Sequence, residues 1–352
     1  MKKGLILFIM LVAVSNLLIA EAGVGTWGRT IFNVAQGDEA SSDITQSWGP
    51  GWGNPGPRQG IDAWFKGDFV EFYFKYQFNG AQLVVDDEFG DITNMYGVLK
   101  LMPSLLTAYI GKWAGDGLDM FRKTSPHPIY DVNNGNVGRM GGMGVWIVLA
   151  PADTGFEAAV NWRTNGFAPT ETIQDNMTLT GLAAAYTVPD MLKFTLGSTA
   201  SGDDPTAEVR NIFGRVELLM VPDLVLWADV KYTGLETATD TGIDSVLAAG
   251  YKMDALSIAF AATLGMNLDT EVTTWNAAPE VYYDLGAVTV GLYASVAGSS
   301  EADTGLAITA EPYVKIDDFD LRISFKLTMN GDLNTTTDDY DWAVPILINF
   351  GF

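Results

Sequence analysis

Residues 70–79 read Val-Glu-Phe-Tyr-Phe-Lys-Tyr-Gln-Phe-Asn. In an extended chain Val70, Phe72, Phe74, Tyr76 and Phe78 fall on one face, and Glu71, Tyr73, Lys75, Gln77 and Asn79 on the other. That is a period of two, which fits a strand and would scatter both sets around a helix. The pattern recurs along the chain. Leu321, Ile323, Phe325, Leu327 and Met329 alternate with Arg322, Ser324, Lys326, Thr328 and Asn330. Phe156, Ala158, Val160 and Trp162 oppose Glu157, Asn161 and Arg163, while Leu224, Leu226, Ala228 and Val230 oppose Trp227, Asp229 and Lys231. Leu306, Ile308, Ala310 and Val314 oppose Thr309, Glu311, Tyr313 and Lys315. The chain therefore reads as all-β.

The connections alternate between short and long. Short ones at Gly67-Asp68, Met102-Pro103-Ser104, 151–154, Pro189-Asp190, Pro222-Asp223, Met253-Asp254-Ala255, Leu285-Gly286 and 317–319 carry turn chemistry, with Pro presetting φ and Asp or Gly closing the turn. Longer ones cover 36–57, 80–91, 114–141, 165–176, 200–206, 234–242, 266–276, 298–304 and 331–339. Eight short and nine long connections predict eighteen strands, with sixteen as the alternative, and both termini on the short-turn side. An even number of antiparallel strands with short turns at one end and long loops at the other is the pattern of a transmembrane up-and-down barrel. A soluble sandwich also alternates, so the alternation by itself leaves that reading open.

Composition narrows the choice. Hydrophobic residues are 48% of the chain, yet beyond the N-terminus no run approaches the ~20 apolar residues of a spanning helix. Met1-Lys2-Lys3, an apolar run from Leu5 to Ala20, and Ala20-Glu21-Ala22 have the form of a cleavable signal peptide over residues 1–22, leaving 23–352 as one barrel domain. The formal charge of −23 comes from 43 acidic and 20 basic residues, and excludes a nucleic-acid partner for want of a basic footprint. With no Cys and a single His, His127, thiolate metal sites, disulfides and His-based triads are excluded. The acidic pairs and triplets, such as 86–88 and 338–339, lack the ordered spacing of a calcium loop. No metal, cofactor or catalytic site is expected.

The last strand carries a more specific signal: Val344, Ile346, Ile348, Phe350 and Phe352 alternate to the final residue. Here the chain resembles the bacterial outer-membrane porins, whose last strand ends in Phe after alternating apolar residues. The resemblance implies residence in the outer membrane among its lipid, with Ile348, Phe350 and Phe352 read by the barrel-assembly machinery. It also implies a homotrimer and a water-filled channel for passive diffusion of small hydrophilic solutes and ions, not an enzyme. Two other readings stay open: a substrate-selective channel for sugars, small acids or hydrophobic compounds, and a surface adhesin or structural barrel.

If the apolar face meets lipid, the other face lines a lumen. That assignment gives Arg29, Lys66, Glu71, Lys75, Lys100, Arg163, Arg215, Glu217, Asp229, Lys231, Glu311, Lys315, Arg322 and Lys326 as pore-lining residues. Lys193, Asp62, Glu157 and Glu280 share the face, as do Trp64, Tyr73, Trp146, Trp227, Tyr282 and Tyr293. Charges at such density are costly in a dry core and set the electrostatic profile of a wet one, although facing charges also pair across strands. The connection 114–141 carries Asp116, Asp119, Arg122, Lys123, Asp131 and Arg139 and exceeds ordinary loop length. In the porins it resembles, the third outer loop folds inward, which makes these residues candidates for a constriction; the alternative is a loop resting on the rim. Deleting residues 118–134 is expected to raise single-channel conductance and the size limit for solutes. Unchanged values would put the loop on the rim.

Overall fold

The computed structural model describes residues 21–38, 44–48, 50–51, 54–55, 58–79, 91–102, 105–113, 142–164, 177–200, 210–234, 241–301, 304–330 and 339–351. They form a closed antiparallel barrel of 18 strands. In chain order these are β1 Glu21–Asp38, β2 Arg58–Lys66, β3 Val70–Asn79, β4 Asp91–Met102, β5 Leu106–Trp113, β6 Gly142–Leu149, β7 Phe156–Thr164, β8 Met177–Val188 and β9 Leu192–Ala200. The second half comprises β10 Arg210–Leu218, β11 Leu224–Thr233, β12 Gly242–Met253, β13 Leu256–Asn267, β14 Thr273–Asp284, β15 Val288–Ser299 and β16 Ala307–Ile316. Next come β17, in two pieces at Leu321–Ser324 and Lys326–Asn330, and β18 Asp339–Gly351. Each strand pairs with its chain neighbours. The barrel closes where β1 meets β18, from Trp27 opposite Gly351 to Asp38 opposite Asp341. The expected eighteen strands are thus observed, and sixteen is not.

The turn chemistry works as expected at the short end. Asp153, Asp190, Asp223, Asp254 and Asp320 all adopt positive φ, a region that Asp tolerates better than bulky residues. The boundaries of one long connection differ: β13 continues to Asn267 and β14 begins at Thr273, so a five-residue link replaces the expected 266–276. Asn267 Oδ1 accepts bonds from the amides of Asp269 and Thr270 at 2.9 Å each, which closes the turn locally and lets both strands run on. The interruption in β17 has a backbone cause. The Phe325 amide donates to the Pro312 carbonyl at 3.1 Å, and proline has no N–H to return the bond.

Alternation of burial identifies the two faces. Along β10, Asn211, Phe213, Arg215 and Glu217 are buried, whereas Ile212 and Val216 between them are exposed. The outer face carries exposed Phe72, Leu182, Phe194, Leu196, Ile258, Leu292 and Ile348, the reverse of a soluble protein. Among the described residues an apolar cluster forms on the inner face from β6 to β12, comprising Trp146, Val148, Ala159, Ala183, Phe213, Trp227, Val246 and Ala248.

Aromatic rings repeatedly lie on glycines directly across a strand pair. Trp64 faces Gly23, Trp27 faces Gly60, Phe213 faces Gly197 and Tyr313 faces Gly291. A Cβ at Gly197 would come within 2.5 Å of the Phe213 ring and 2.7 Å of the Ala183 Cβ. The missing side chain lets the ring lie flat against the sheet, an aromatic–glycine pairing that also pins register. Gly197→Val should therefore lower stability by about 1–3 kcal/mol, the usual cost of overpacking. Gly214→Ala, whose new Cβ would meet only the Thr195 carbonyl at 3.9 Å, should leave the thermal midpoint nearly unchanged. Melting both variants by circular dichroism checks the contrast.

Candidate functional site: the inner wall

Register places the charged residues of the expected lumen on the inner face, and most of the basic ones meet a carboxylate there. Lys100 Nζ lies 2.6 Å from Glu71 Oε1, and Lys193 Nζ lies 2.8 Å from Glu157 Oε2. Lys231 Nζ lies 2.7 Å from Asp244 Oδ2. Arg215 makes a bidentate pair with Asp229, Nε to Oδ1 at 2.6 Å and Nη2 to Oδ2 at 2.7 Å. Arg215 meets Asp229 and Lys231 meets Asp244 because the register sets each pair directly opposite on adjacent strands, whereas Lys193 on β9 reaches across β8 to Glu157 on β7.

Burial divides the wall. Arg215, Glu217, Asp229, Glu311 and Arg322 are buried within it. Glu71, Lys75, Lys100, Lys231, Lys315, Lys326 and Arg29 are half-buried, and Lys66 is exposed. Arg163 stands opposite Gly144 in the backbone ladder between β7 and β6. Lys75 Nζ sits 4.4 Å from the centre of the Trp27 ring, a cation–π distance. Trp27 in turn donates from Nε1 to Asp62 Oδ1 at 3.2 Å. At the short-turn end Lys315 Nζ contacts Asp317 Oδ1 at 3.0 Å and Asp320 Oδ1 at 3.2 Å. Its hydrogen bond to Asp317 holds that carboxyl below the ordinary aspartate range.

A second inner-face network spans β14 to β17. Tyr313 donates to Glu280 Oε1 at 2.8 Å, Ser324 donates to Glu311 Oε1 at 2.6 Å, and Arg322 Nη2 lies 3.8 Å from the same Glu311 oxygen. On β3 to β5 the rings of Tyr73 and Tyr96 stack at 5.0 Å, and Tyr96 and Tyr109 follow at 6.5 Å.

Several inner residues escape the sequence reading: Trp27, Tyr96, Tyr109, Phe213 and Leu347. Each sits at the parity of the polar face, between residues such as Asn211 and Arg215 around Phe213, so parity could have found them where residue type misled. The expected constriction residues Asp116, Asp119, Arg122, Lys123, Asp131 and Arg139 lie outside the described residues, as does Phe352. Ile348 and Phe350 stand opposite Thr30 and Gly28 at the closing seam, with the Ile348 side chain exposed on the outer face. Among the described residues no group of three or more His, Cys, Asp or Glu could hold a metal.

A closed 18-stranded barrel with an apolar outside and a charged inside has the architecture of the outer-membrane porins and channels. Among solved structures the chain is similar to OccK2 (OpdF) of Pseudomonas aeruginosa, at 10% identity and TM-score 0.57, over 94% of this chain and 98% of that one. It is also similar to an anion-selective porin of Comamonas acidovorans, at 12% identity and TM-score 0.53, over 94% and 100% of the two chains. OprD of Pseudomonas aeruginosa matches at 10% identity and TM-score 0.52, over 94% and 95%. No protein-family model matches the sequence, and no curated protein matches it.

The buried pair yields a direct test. Asp229→Ala would leave the Arg215 guanidinium buried without its bidentate partner, a loss of about 3–5 kcal/mol for pairs of this kind. The double variant Arg215→Met with Asp229→Leu should recover most of that stability. Thermal melts of the folded barrels in detergent measure both.

Proposed function

We propose that the protein is an outer-membrane porin, exported by way of the 1–22 signal peptide, whose removal takes Glu21 and Ala22 from the start of β1, and that it lets small hydrophilic solutes and ions diffuse passively through the barrel. The observation that carries this reading is the inversion of polarity: exposed apolar side chains outside, paired charges inside. A soluble barrel would bury the apolar face, and a closed sheet is the strand arrangement that leaves no unpaired edge in lipid. The half-buried and exposed members of the pore-lining set, Lys66, Glu71, Lys75, Lys100, Lys231, Lys315 and Lys326, face the solute path in this reading. The buried members stiffen the wall.

The pairing also supports an ion preference. Lys100, Lys193, Arg215, Lys231, Lys315 and Arg322 each stand beside a carboxylate, so much of the positive charge of the wall is locally compensated. The net charge of −23 therefore governs the field at the mouths, which enriches cations there. The channel is accordingly cation-preferring. The Comamonas barrel described as anion-selective shares the fold without sharing this balance by necessity. Homotrimeric assembly, and recognition of Ile348, Phe350 and Phe352 during insertion, complete the proposal.

Planar-bilayer recording tests it. Open-channel conductance is expected, and a KCl gradient should give a reversal potential of the sign for greater K⁺ than Cl⁻ permeability. The opposite sign would overturn the ion preference, and lack of conductance together with loop-dependent ligand binding would favour an adhesin. Saturable block by one solute class would favour a selective channel, with the Tyr73–Tyr96–Tyr109 stack as the first place to mutate.

A further inference from the structure

One row of the backbone ladder crosses β1 to β5 through Gly23, Trp64, Tyr73, Tyr96 and Gly111, each residue standing directly opposite the next. Its three central members are aromatic, inward and on adjacent strands. The Trp64 ring lies over Gly23. The Tyr73 and Tyr96 rings stack at 5.0 Å with 23° between their planes, and Tyr109 follows Tyr96 at 6.5 Å. With about 4.8 Å between strands, Trp64 to Tyr96 spans roughly 10 Å of wall, and the tilt of strands in such barrels makes the row climb the lumen obliquely.

These rings differ in exposure from the aromatics of the opposite wall. Trp146, Phe213 and Trp227 have 2% or less of their surface exposed and act as core, whereas Trp64, Tyr73, Tyr96 and Tyr109 keep part of theirs open. Tyr96 and Tyr109 pack against the buried cluster, which braces the row from one side. Tyr73 is held by the bond its hydroxyl donates to Glu71 Oε2 at 2.8 Å. Charges flank the row above and below. Toward the short turns stand Lys66 and Glu71, opposite each other, with Lys100 Nζ 2.6 Å from Glu71. Away from the turns stand Asp62 and Lys75, also opposite each other. Lys75 sits over the Trp27 ring and so takes that face out of the platform.

We propose that Trp64, Tyr73 and Tyr96 form a stacking site for neutral pyranose sugars, of about disaccharide length, on the lumen wall. One face of a pyranose presents C–H groups, positively polarised, to which the negative face of an aromatic ring is complementary. Its hydroxyls project sideways, where the flanking charges supply donors and acceptors. Glu71 and Lys100 offer more hydrogen-bonding positions than their mutual contact uses. Cations and carboxylates are close to balance around the row, which suits an uncharged solute better than a strong anion or cation. A few convergent polar groups around an apolar platform are the usual make-up of a small-molecule site. The inference rests on the channel reading above and gives that passive path a preferred solute class.

Planar-bilayer recording in KCl with maltose as the probe tests it. Maltose should reduce the current saturably, whereas sorbitol, a polyol without a ring, should lower it only in proportion to its effect on the conductivity of the solution. Tyr96→Leu keeps bulk and loses the π face; it should raise the half-blocking concentration roughly two- to tenfold, the worth of one aromatic contact, and Tyr96→Phe should restore most of the affinity. Equal, unsaturable effects of maltose and sorbitol would overturn the proposal, as would stronger block by the planar aromatic adenosine. Saturation-transfer NMR of maltose with the barrel in a sugar-free detergent reads binding without conduction. Transfer to the ring C–H protons that weakens in Tyr96→Leu or Trp64→Leu supports the site even if the bilayer stays silent, a silence that would count against the channel reading alone. Absence of transfer, or transfer that both variants leave intact, overturns the site. Trp64→Leu keeps the test decisive should Tyr96→Leu not fold.

Discussion

The seam between β1 and β18 is the contact on which the rest of the structure depends. Until Trp27 through Asp38 pair with Asp341 through Gly351, the sheet has two edges with unsatisfied amides and carbonyls, and in hydrocarbon each such group costs several kcal/mol. Closure removes both edges at once and gives the barrel an inside. The stagger of the closed sheet shows in β1, which pairs with β2 over Glu21–Arg29 and with β18 over Trp27–Asp38.

Once the sheet closes, each side chain belongs to one of two solvents, and the period of two allots them. The outer face needs only apolar surface, so its residues are interchangeable and carry little information beyond their spacing. The inner face is where particular residues matter. Rings lie flat on Gly60, Gly197 and Gly291, and carboxylates meet cations across neighbouring strands. These pairs depend on register, and a slip of one residue would turn every inner charge toward the apolar side.

This division accounts for what could be read from the amino-acid order. Alternation through 70–79 and 321–330, turn residues at 189–190 and 222–223, and the parity of Arg215, Asp229 and Lys231 are all local, and local signals survive without a partner strand in view. Parity places Trp146, Trp227 and Tyr293 inside, where they are buried, but other inward-facing aromatics are harder to read because residue type and parity disagree: Phe213 and Trp27 look like lipid-facing residues until register puts them inside. The pairing of Lys100 with Glu71, or of Tyr313 with Glu280, was not legible, since it depends on which residues stand opposite after closure. The link between β13 and β14 was overestimated for a related reason, because Thr273, Thr274 and Asn276 have loop-like character and yet complete a ladder.

Pairing changes the meaning of the net charge. In the bare sequence, a chain with 43 acidic and 20 basic residues, many of the basic ones inward, suggests an anion-attracting wall enclosed by an acidic exterior. Compensation across strands weakens that contrast. A carboxylate within 3 Å of an ammonium, as at Lys193–Glu157 and Lys231–Asp244, presents a dipole to the lumen, and the field of a dipole falls faster with distance than that of a charge. Ions approaching the barrel therefore respond first to the acidic connections and only at close range to individual wall residues. Sequence composition sets the long-range field, whereas register sets the short-range one. For a channel wide enough to leave hydrated ions away from the wall, the former carries the greater weight.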